Sequence, residues 1–195
     1  MLFSDEKIFN VDGIFNSKND RIWAPTREQA DSKGGLYQKS KFTTKVMVWM
    51  AASSKGGITV HVIKEATLKH TGYLRQCLPR ARALGRKEFG RRWWFQQDNA
   101  TPHTHKKCQA WCREKLPKFF DKARWPPNSP DLNPCDYGLW AELGSRINWA
   151  TVHSKKTLVA QIRAASRKVR RQVVKDTCSK WGLRLRRLLC SNGNS

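Results

Sequence analysis

Three aspartates are the residues of this sequence best suited to catalysis: Asp5 in FSDEK, Asp98 in QQDNATPH and Asp136 in SPDLNPCDY. The chain has only 15 acidic residues against 38 basic ones, so carboxylates in such motifs are better explained by a divalent-metal site than by solubility. Neighbouring carboxylates repel one another, and a bound cation relieves that repulsion. Mg²⁺ suits such a site because it takes oxygen ligands and keeps waters and substrate phosphates. Two such ions flanking a scissile phosphate would activate the nucleophile and stabilise the leaving oxygen.

Each aspartate also has an ordinary structural explanation when it is taken alone. Asp5 can end a strand, and Asp136 can stabilise a helix N-terminus electrostatically. Asp98 and Asn99 can form an Asx turn. For any single aspartate the structural explanation is the stronger one, and only the three motifs together favour a metal site.

The charge of the chain points to a polyanionic partner. The formal net charge is +23 and the pI is about 10.3. Residues 151–195 contain 12 basic residues and one acid, and residues 69–92 contain eight basic residues and one acid. Such a field attracts nucleic acid, and surface charge that only keeps the protein soluble is the competing explanation. We expect nucleic acid to be the partner.

The basic tail is expected to contact the phosphates of nucleic acid. Its candidate side chains are Arg163, Arg167, Lys168, Arg170 and Arg171. Phosphate contacts give an affinity that depends strongly on salt and little on base sequence. The run RKVRR at 167–171 is also typical of nuclear-import signals, so we expect a nuclear location.

Length and composition limit the class of protein. A chain of 195 residues fits one domain with a helical appendage. Six cysteines without a disulfide-scaffold spacing, and no signal-peptide pattern, predict reduced intracellular thiols. Because no apolar run approaches the length of a membrane span, we expect a soluble protein with no membrane partner.

The first half of the chain has the patterns of strands. Strands are predicted over 2–11, 21–24, 45–52, 58–63 and 93–97, with a loop over 26–44. The run KVMVWMAA at 45–52 is nearly all apolar, as in a buried central strand, and 58–63 is its predicted hairpin partner. The last predicted strand ends at Asp98.

Helical spacing dominates the second half of the chain. Helices are predicted over 71–84, despite Pro79, over 104–116, from Asn133 to about Ile147, and through the tail after Thr151. Asn133 as N-cap and Pro134 at the first helical position give the third helix a clear start. The tail has an apolar stripe of Leu158, Ile162, Ala165, Val169 and Val173. Strands followed by alternating strands and helices predict a mixed sheet flanked by helices.

The three motifs, in their order and with their flanking residues, resemble the catalytic domain of mariner-type transposases, which belong to the larger class of DDE/D recombinases. The resemblance rests on FSDEK, on DNATPH from Asp98 to His103, and on WPPNSPDLNPCDY from Trp125 to Tyr137. Three ordered motifs are far more specific than one. Between Asp98 and Asp136 lie 37 residues, which is similar to family members with a longer final interval and a third aspartate.

The resemblance implies an α/β, RNase H-like mixed sheet flanked by helices over residues 1–150, with a basic helical C-terminal extension over 151–195. It implies that Asp5, Asp98 and Asp136 are catalytic and hold Mg²⁺ or Mn²⁺, as two ions. The implied reaction is phosphodiester hydrolysis at a transposon end, followed by attack of the freed 3′-hydroxyl on target DNA. It needs no covalent protein intermediate. Transposon ends and target DNA are the implied partners, and a homodimer is a candidate assembly.

Two other acids compete with Asp136 for the third position. Asp131 lies five residues earlier in the same motif, and Glu142 lies further along the following helix. Asp136 is preferred because the apolar face of that helix follows it, as in the family, whereas Asp131 falls in the preceding loop.

The residues after Asp98 have more than one explanation. Asn99 and His103 are expected to shape the site or to contact DNA, and a purely structural role is equally open. The run HTHKKCQAWC contains zinc-ligand residue types, but it lacks the paired spacing of a zinc finger. A helix with two half-buried thiols, Cys108 and Cys112, is the preferred explanation.

Full-length mariner-type transposases also carry an N-terminal helix-turn-helix region, which this sequence does not show. Only four residues precede Asp5, so we expect a shortened first strand and either a fragment or an incomplete gene product. Two functions are then open: a catalytic domain that cleaves DNA with metal, or a catalytically inactive DNA-binding remnant. The third motif argues against an RNase H-like ribonuclease.

Overall fold

A five-stranded sheet forms the centre of the computed structural model, which describes residues 1–13, 25–30, 43–65, 67–126 and 129–190. Its strands are β1 (Leu2–Asn10), β2 (Lys45–Ser53), β3 (Ile58–Val62), β4 (Trp94–Gln96) and β5 (Lys118–Phe119), in the order β3-β2-β1-β4-β5. β2 runs antiparallel to both of its neighbours, β1 and β3, whereas β4 and β5 run parallel to β1. The mixed sheet predicted from the sequence is confirmed, with β1 at its centre.

β1 and β2 form the longest pairing of the sheet. They pair along their whole length, from Leu2 opposite Ser53 to Asn10 opposite Lys45. β3 follows as the predicted hairpin partner of β2. The hairpin needs Gly56, which has φ +94°, because a Cβ there would lie 2.5 Å from the backbone oxygen of Arg171.

Helices follow the strands and join them. They are α1 (Arg27–Ala30), α2 (His70–Gly72), α3 (Leu78–Phe89), α4 (Thr101–Thr104), α5 (Lys106–Lys115), α6 (Trp140–Ser145), α7 (Lys155–Lys168), α8 (Arg171–Ser179) and α9 (Trp181–Cys190). π-helical turns at Tyr73–Cys77 and Cys135–Leu139 lead into α3 and α6. Short 3₁₀ turns lie at Pro130–Leu132 and Trp149–Thr151.

The helix predicted over 71–84 is longer than expected, and a π-helical turn accommodates its proline. Proline lacks an N–H and its ring clashes with the carbonyl four residues earlier in an α-helix. Here the N–H of Leu78 bonds to the carbonyl of Tyr73, five residues back, which widens the turn. Pro79 then fits near the start of α3, and the helix continues to Phe89.

Each face of the sheet has its own hydrophobic core. The first core packs β1 and β2 against α6, α7 and α8, with Phe3, Phe9, Met50, Trp140 and Ile162 among its members. The second packs the other face against α3 and α5, with Leu2, Trp49, Tyr73, Leu78 and Phe95 among its members. Side chains alternate along β1, so consecutive residues of this one strand serve opposite cores.

The tail helices share the first core with the sheet. Leu158, Ile162 and Ala165 are fully buried, which confirms the predicted stripe for α7. The predicted apolar stripe is wrong at Val173, which is only partly buried. α7 ends at Lys168 and a new helix starts at Arg171, so the restart turns Val174 inward instead.

Two polar contacts fix the tail to the rest of the fold. Ser154 caps α7, because its Oγ accepts a hydrogen bond from the N–H of Thr157. In turn, Thr157 Oγ1 accepts a hydrogen bond from the N–H of Ser154. Glu88 on α3, with a side chain only 6% exposed, pairs with Arg171 at 3.1 Å. Glu88 also accepts a 2.9 Å hydrogen bond from Ser53 Oγ, so it ties α8 to the end of β2.

Other predicted boundaries need adjustment. The helix predicted over 104–116 is two helices, α4 and α5, because His105 between them has extended backbone. The strand predicted at 21–24 lies outside the described residues, as does most of the loop predicted at 26–44, apart from α1 and its end. Among the described residues, no helix has the length and apolar character needed to span a bilayer.

Candidate active site

Parallel pairing of β1 with β4 brings the first two motifs together. Leu2 pairs with Phe95 and Phe3 with Gln96, so both strands run towards the same edge of the sheet. Asp5 lies within β1, two residues after Phe3, and Asp98 lies two residues beyond the end of β4. A 3.1 Å hydrogen bond from Ser4 Oγ to the backbone oxygen of Gln96 locks the two strands beside the site.

Asn133 attaches the third motif to the same place. Its Oδ1 accepts the N–H of Cys135, which makes it the N-cap predicted from the sequence. Its Nδ2 donates to the backbone oxygen of Ser4 at 3.2 Å, so one side chain both starts the helix and ties it to β1. Asp136 lies in the π-helical turn that follows.

A cavity of about 510 Å³ lies where the three motifs meet. All three aspartates line it, and the full lining is Asp5, Glu6, Asp98, Asn99, Ala100, Trp125, Pro126, Ser129, Pro130, Asn133 and Asp136. The two competing acids are not among these residues. Glu142 instead pairs with Arg146 at 2.8 Å within α6. Of the three acids considered for the third position, Asp136 is the one at the cavity.

Asp5 and Asp136 are two carboxyl groups that lie close together, so their negative charges repel each other. Burial, followed by the nearby charge of Asp136, raises the pKa of Asp5 to about 8, although a hydrogen bond from Trp140 opposes the shift. That bond joins Trp140 Nε1 to Asp5 Oδ2 at 2.6 Å. Burial also raises the pKa of Asp136, which is hydrogen-bonded to Asp5. The two groups resist being ionised together, and a cation would relieve this.

Asp98 has the opposite electrostatic environment. Its Oδ1 lies 2.6 Å from His103 Nδ1 and also accepts the N–H of Ala100. Burial alone would raise the pKa of Asp98, but the hydrogen bond and the charge of His103 outweigh it and lower that pKa. His103 Nε2 lies 3.1 Å from Glu6 Oε1. Burial lowers the pKa of His103, but the two carboxylates raise it to about 10 overall.

The donor set fits a hard divalent cation. Within the described residues, no three His, Cys, Asp or Glu side chains are grouped so as to hold one metal ion. Mg²⁺ does not need three, because it is commonly held by one or two carboxylates together with waters and substrate phosphates. The hydrogen-bonded Asp5 and Asp136 supply such a pair of oxygen ligands, and Asp98 faces the same cavity with a side chain 41% exposed.

The DNA-contact prediction for His103 is not supported by its position. The residue is only 1% exposed, and both ring nitrogens face carboxylates, so the ring has no nitrogen left for a phosphate. Its alternative role, shaping the site, is the one that the geometry supports. Asn99 does line the cavity, where its Nδ2 donates to the backbone oxygen of Trp125 at 2.9 Å.

The predicted DNA contacts of the tail differ in availability. Arg163, Arg167, Lys168 and Arg170 are exposed on α7 and at its end. Arg171 is also exposed, but its guanidinium is engaged with Glu88 and with the backbone oxygen of Lys55. None of the five residues lines the cavity, so any contact they make with DNA lies away from the aspartates.

The residues that resembled zinc ligands point to different partners. His103 is held by carboxylates, and His105 stacks on His70 with ring centroids 3.7 Å apart. Cys108 and Cys112 are buried, and Cys108 Sγ lies 3.6 Å from the backbone oxygen of His70. Both thiols therefore lie more deeply in the core than the half-buried position predicted from the sequence.

Sequence reasoning missed three side chains that support the aspartates. Glu6 stands beside Asp5 in FSDEK and could have been noticed as a second acid in the same motif. Trp140, which donates to Asp5, lies on the apolar face of the helix predicted from Asn133, a place that indicates core packing and not a bond to the site. Tyr73 packs its ring 4.2 Å from that of His103 and donates to Gln97 at 2.7 Å, and no local pattern indicates this.

No protein-family model matches the sequence. The chain is 30% identical over 148 residues to the Tc3 transposase of Caenorhabditis elegans, covering 73% of this chain and 40% of that protein. It is 30% identical over 112 residues to the Tcb1 transposase of Caenorhabditis briggsae, covering 57% of this chain and 40% of that protein. The Tc1 transposase of Caenorhabditis elegans aligns over 98% of this chain and 68% of its own length at 24% identity. The chain thus spans less than half of Tc3 and Tcb1.

The fold matches that of the Mos1 mariner transposase. The crystal structure of the Mos1 catalytic domain superposes with a TM-score of 0.69 and 20% identity, over 100% of this chain and 82% of that chain. A pre-cleavage Mos1 transpososome gives 0.77 and 20%, over 100% and 56%. Mos1 structures also include paired-end complexes with Mn and with Mg. The shared fold is the RNase H-like mixed sheet flanked by helices.

Sequence and structure lead to the same assignment. Similarity to Tc1-type transposases extends over most of the sequence, and the fold of the mariner catalytic domain extends over all of it. The chain is thus homologous in sequence to the Tc1-type transposases and has the fold of the catalytic domain of the Mos1 mariner transposase.

Proposed function

We propose that this chain is a metal-dependent DNA-cleaving and strand-transfer unit that acts on transposon ends and target DNA. The observation that carries the proposal is the convergence of Asp5, Asp98 and Asp136 on one cavity, at one edge of an RNase H-like sheet. The relatives named as transposases support the choice of DNA as substrate. The Mos1 complex with a transposon end supports the choice of transposon ends.

The proposed cofactor is Mg²⁺ or Mn²⁺, as two ions held by the three aspartates. Bound there, the ions would supply activation of the attacking oxygen and stabilisation of the leaving one. The close pair of Asp5 and Asp136 supports this, since crowded carboxylates with raised pKa values favour a cation between them. The Mos1 catalytic domain has been solved with Mn and with Mg.

The side chains of this chain then position the reacting groups. Asp98 is kept ionised by His103, so it is ready to ligate at neutral pH. Trp140 fixes one oxygen of Asp5, which leaves the other for the cavity. Asn99 and Trp125 form the adjoining wall, where a DNA strand would pass. Positioning and charge stabilisation account for catalysis without a protein nucleophile.

We also propose where and with what the chain works. The net charge of +23 supports DNA binding through phosphates, and the exposed Arg163, Arg167, Lys168 and Arg170 are the proposed tail contacts. The basic run at 167–171 supports a nuclear location. A homodimer is the proposed assembly on DNA, by analogy with the paired-end complexes of Mos1.

The proposal predicts metal-dependent nicking of DNA by the purified chain. Supercoiled plasmid incubated with Mn²⁺ or Mg²⁺ should be converted to open circles, and EDTA should abolish the conversion. Asp5→Asn, Asp98→Asn and Asp136→Asn should each lower the rate by at least about 100-fold, because each removes a ligand worth several kcal/mol of charge stabilisation. Gel electrophoresis of the plasmid over time measures the rate.

Asp131→Asn and Glu142→Gln are the matched controls for this experiment. Each removes an acid near the third motif that does not line the cavity, so each should nick DNA at the rate of the wild type. If Asp131→Asn stops nicking DNA while Asp136→Asn nicks at the rate of the wild type, Asp131 and not Asp136 is the third ligand.

A second candidate function is DNA binding without catalysis. It is favoured by the observation that, within the described residues, no three potential ligands are grouped around one metal position. If the wild-type chain binds plasmid but does not nick it in Mn²⁺, this second function replaces the first.

A further inference from the structure

A buried histidine connects the second aspartate of the site to a glutamate on β1. His103 Nδ1 lies 2.6 Å from Asp98 Oδ1, and His103 Nε2 lies 3.1 Å from Glu6 Oε1. The histidine is 1% exposed, and the side chain of Glu6 is 16% exposed. Three side chains therefore form one continuous hydrogen-bonded chain, Glu6–His103–Asp98, along the wall of the cavity.

The position of the imidazole ring is fixed from several sides. An ionised carboxylate only accepts hydrogen bonds, so each of the two ring nitrogens must donate one. The Tyr73 ring lies against the imidazole with centroids 4.2 Å apart. Gln109 Nε2 donates to the backbone oxygen of His103 at 2.9 Å. These contacts determine where the Nδ1–H points, and hence where Asp98 is held.

The hydrogen bonds of Asp98 are divided unequally between its two oxygens. Both bonds found among the described residues go to Oδ1, one from His103 and one from the N–H of Ala100. Oδ2 is thus the oxygen available to a metal ion. A carboxylate fixed through one oxygen presents the other in one direction, which lowers the entropy lost when a metal binds.

Glu6 has a different environment from its neighbour Asp5. Side chains alternate along a strand, so Asp5 faces Trp140 and the first core while Glu6 faces His103 on the other side. Both residues line the cavity from the middle of β1, which makes Glu6 a candidate for a fourth metal ligand. Its Oε1 is however directed to His103, which makes it the outer end of the hydrogen-bonded chain.

We propose that His103 is a positioning residue that aims Asp98 Oδ2 at the metal, and that Glu6 anchors His103 instead of ligating the metal itself. The proposal rests on the proposed function, because it presupposes a metal ion at Asp98. Hydrogen-bonded partners of metal ligands typically change metal affinity by about 10–100-fold when they are removed.

Two substitutions of His103 separate the bond to Asp98 from the packing of the ring. The amide nitrogen of Asn is two bonds from Cβ, like Nδ1, whereas that of Gln is three bonds away, like Nε2. His103→Asn therefore keeps a donor for Asp98 and loses the one for Glu6, and His103→Gln does the reverse. Both remove the ring that packs against Tyr73, so the loss of packing is common to the pair.

The experiment measures Mn²⁺ binding to the purified chain without DNA, from the free-Mn²⁺ signal in electron paramagnetic resonance. Asp98→Asn serves as the reference for a lost ligand, and circular dichroism verifies folding. His103→Gln should weaken Mn²⁺ binding by about 10–100-fold, and His103→Asn should stay within about tenfold of the wild type and bind more tightly than His103→Gln. Equal affinities in the two variants, whether both weak or both normal, would overturn the positioning role.

Glu6 provides a second arm that does not depend on the His103 variants folding. Glu6→Gln keeps an oxygen that can accept from His103, so it should bind Mn²⁺ like the wild type. Glu6→Ala removes that acceptor and should weaken binding. If Glu6→Gln loses affinity as fully as Asp5→Asn, Glu6 is a ligand and the inference fails. If the wild type itself binds no Mn²⁺, the proposed function fails and the inference with it; the other negative results overturn the inference alone.

Discussion

Asp5 and Asp98 are chemically identical side chains in opposite situations, and the difference lies in their nearest partners. Asp98 shares a hydrogen bond with a positively charged histidine, whereas Asp5 is buried beside a second carboxyl group. In the folded protein without metal, the ionised form of Asp98 is therefore stabilised and the ionised form of Asp5 is destabilised. A substitution of Asp5 can reveal this destabilisation.

Asp5→Asn should stabilise the metal-free protein at neutral pH. The pKa of Asp5 is raised to about 8 in the folded state, so the folded state holds this proton more tightly than the unfolded state does. The stabilisation from the protonated group is complete below about pH 4 and is lost as pH rises towards 8. At pH 7 the variant should gain on the order of 2 kcal/mol, less than the full shift implies because Asn accepts a weaker bond from Trp140.

Urea unfolding in EDTA at pH 4, 6 and 8 measures this effect. The gain of Asp5→Asn over the wild type should be small at pH 4 and should grow at pH 6 and again at pH 8. Added Mn²⁺ should reverse the order at pH 8, since only the wild type gains a bound cation. A gain that is the same at all three pH values would show that Asp5 is not protonated in the folded protein.

The three aspartates could be predicted because each stands in a local motif. The role of His103 could not, because its partner Glu6 lies 97 residues away in the chain. Whether β1 turns Glu6 towards α4 or away from it depends on how β1 pairs with its neighbours, and no short stretch of sequence records this. For the same reason the sequence left three roles open for His103: shaping the site, contacting DNA, or a purely structural role.

At the scale of elements, Asn133 has a double role that is open to a direct test. Asn133→Ala removes both the cap of the third-motif helix and the bond to Ser4, so the free energy of unfolding should fall by about 2 kcal/mol. The helix start should also move away from β1, so Mn²⁺ affinity should fall because Asp136 moves with it. Calorimetry and Mn²⁺ binding measure the two effects.

Ser154→Ala is the matched control for Asn133→Ala. Ser154 caps α7, away from the cavity, so its loss should cost about 1 kcal/mol and leave Mn²⁺ affinity unchanged. If Ser154→Ala lowers Mn²⁺ affinity as much as Asn133→Ala does, the effect on metal comes from general loss of stability and not from the position of Asp136.

Strands and helices with strong local patterns were predicted well, and π-helical turns were not. The apolar run of β2 and the capped start at Asn133 are both found as expected. The two π-helical turns escaped because α and π turns differ by one residue in hydrogen bonding and have no distinct hydrophobic period. Both turns carry residues of the site, Tyr73 in one and Asp136 in the other.

At the scale of the whole molecule, the net charge of +23 predicts a strong dependence of DNA binding on salt. The four exposed tail residues, Arg163, Arg167, Lys168 and Arg170, can be replaced together by Ala. The variant should bind DNA more weakly than the wild type, whatever the base sequence of the DNA. The slope of log affinity against log salt should become shallower by about 0.9 for each phosphate contact that is lost. Fluorescence anisotropy with a labelled duplex at several salt concentrations measures this slope.

Arg171→Ala distinguishes a structural arginine from a DNA-binding one. Its guanidinium is engaged with Glu88, so the variant should lose about 1 kcal/mol of stability while the salt slope changes little. A slope change in Arg171→Ala as large as one phosphate contact would return Arg171 to the DNA-binding set predicted from the sequence.

The central position of β1 has a consequence for the order in which the molecule is made. β1 is synthesised before the other four strands of the described sheet, yet the hydrogen-bond partner of Ser4 is Asn133, which comes 129 residues later. At about 5–20 residues per second, the ribosome needs on the order of ten seconds to supply that partner. Glu6 lacks its partner until His103 is made, 97 residues later, and Asp5 lacks Trp140 for longer still, so the strand edge that carries them is open to wrong partners. The carboxylate site can thus be completed only after the third motif and Trp140 have been synthesised.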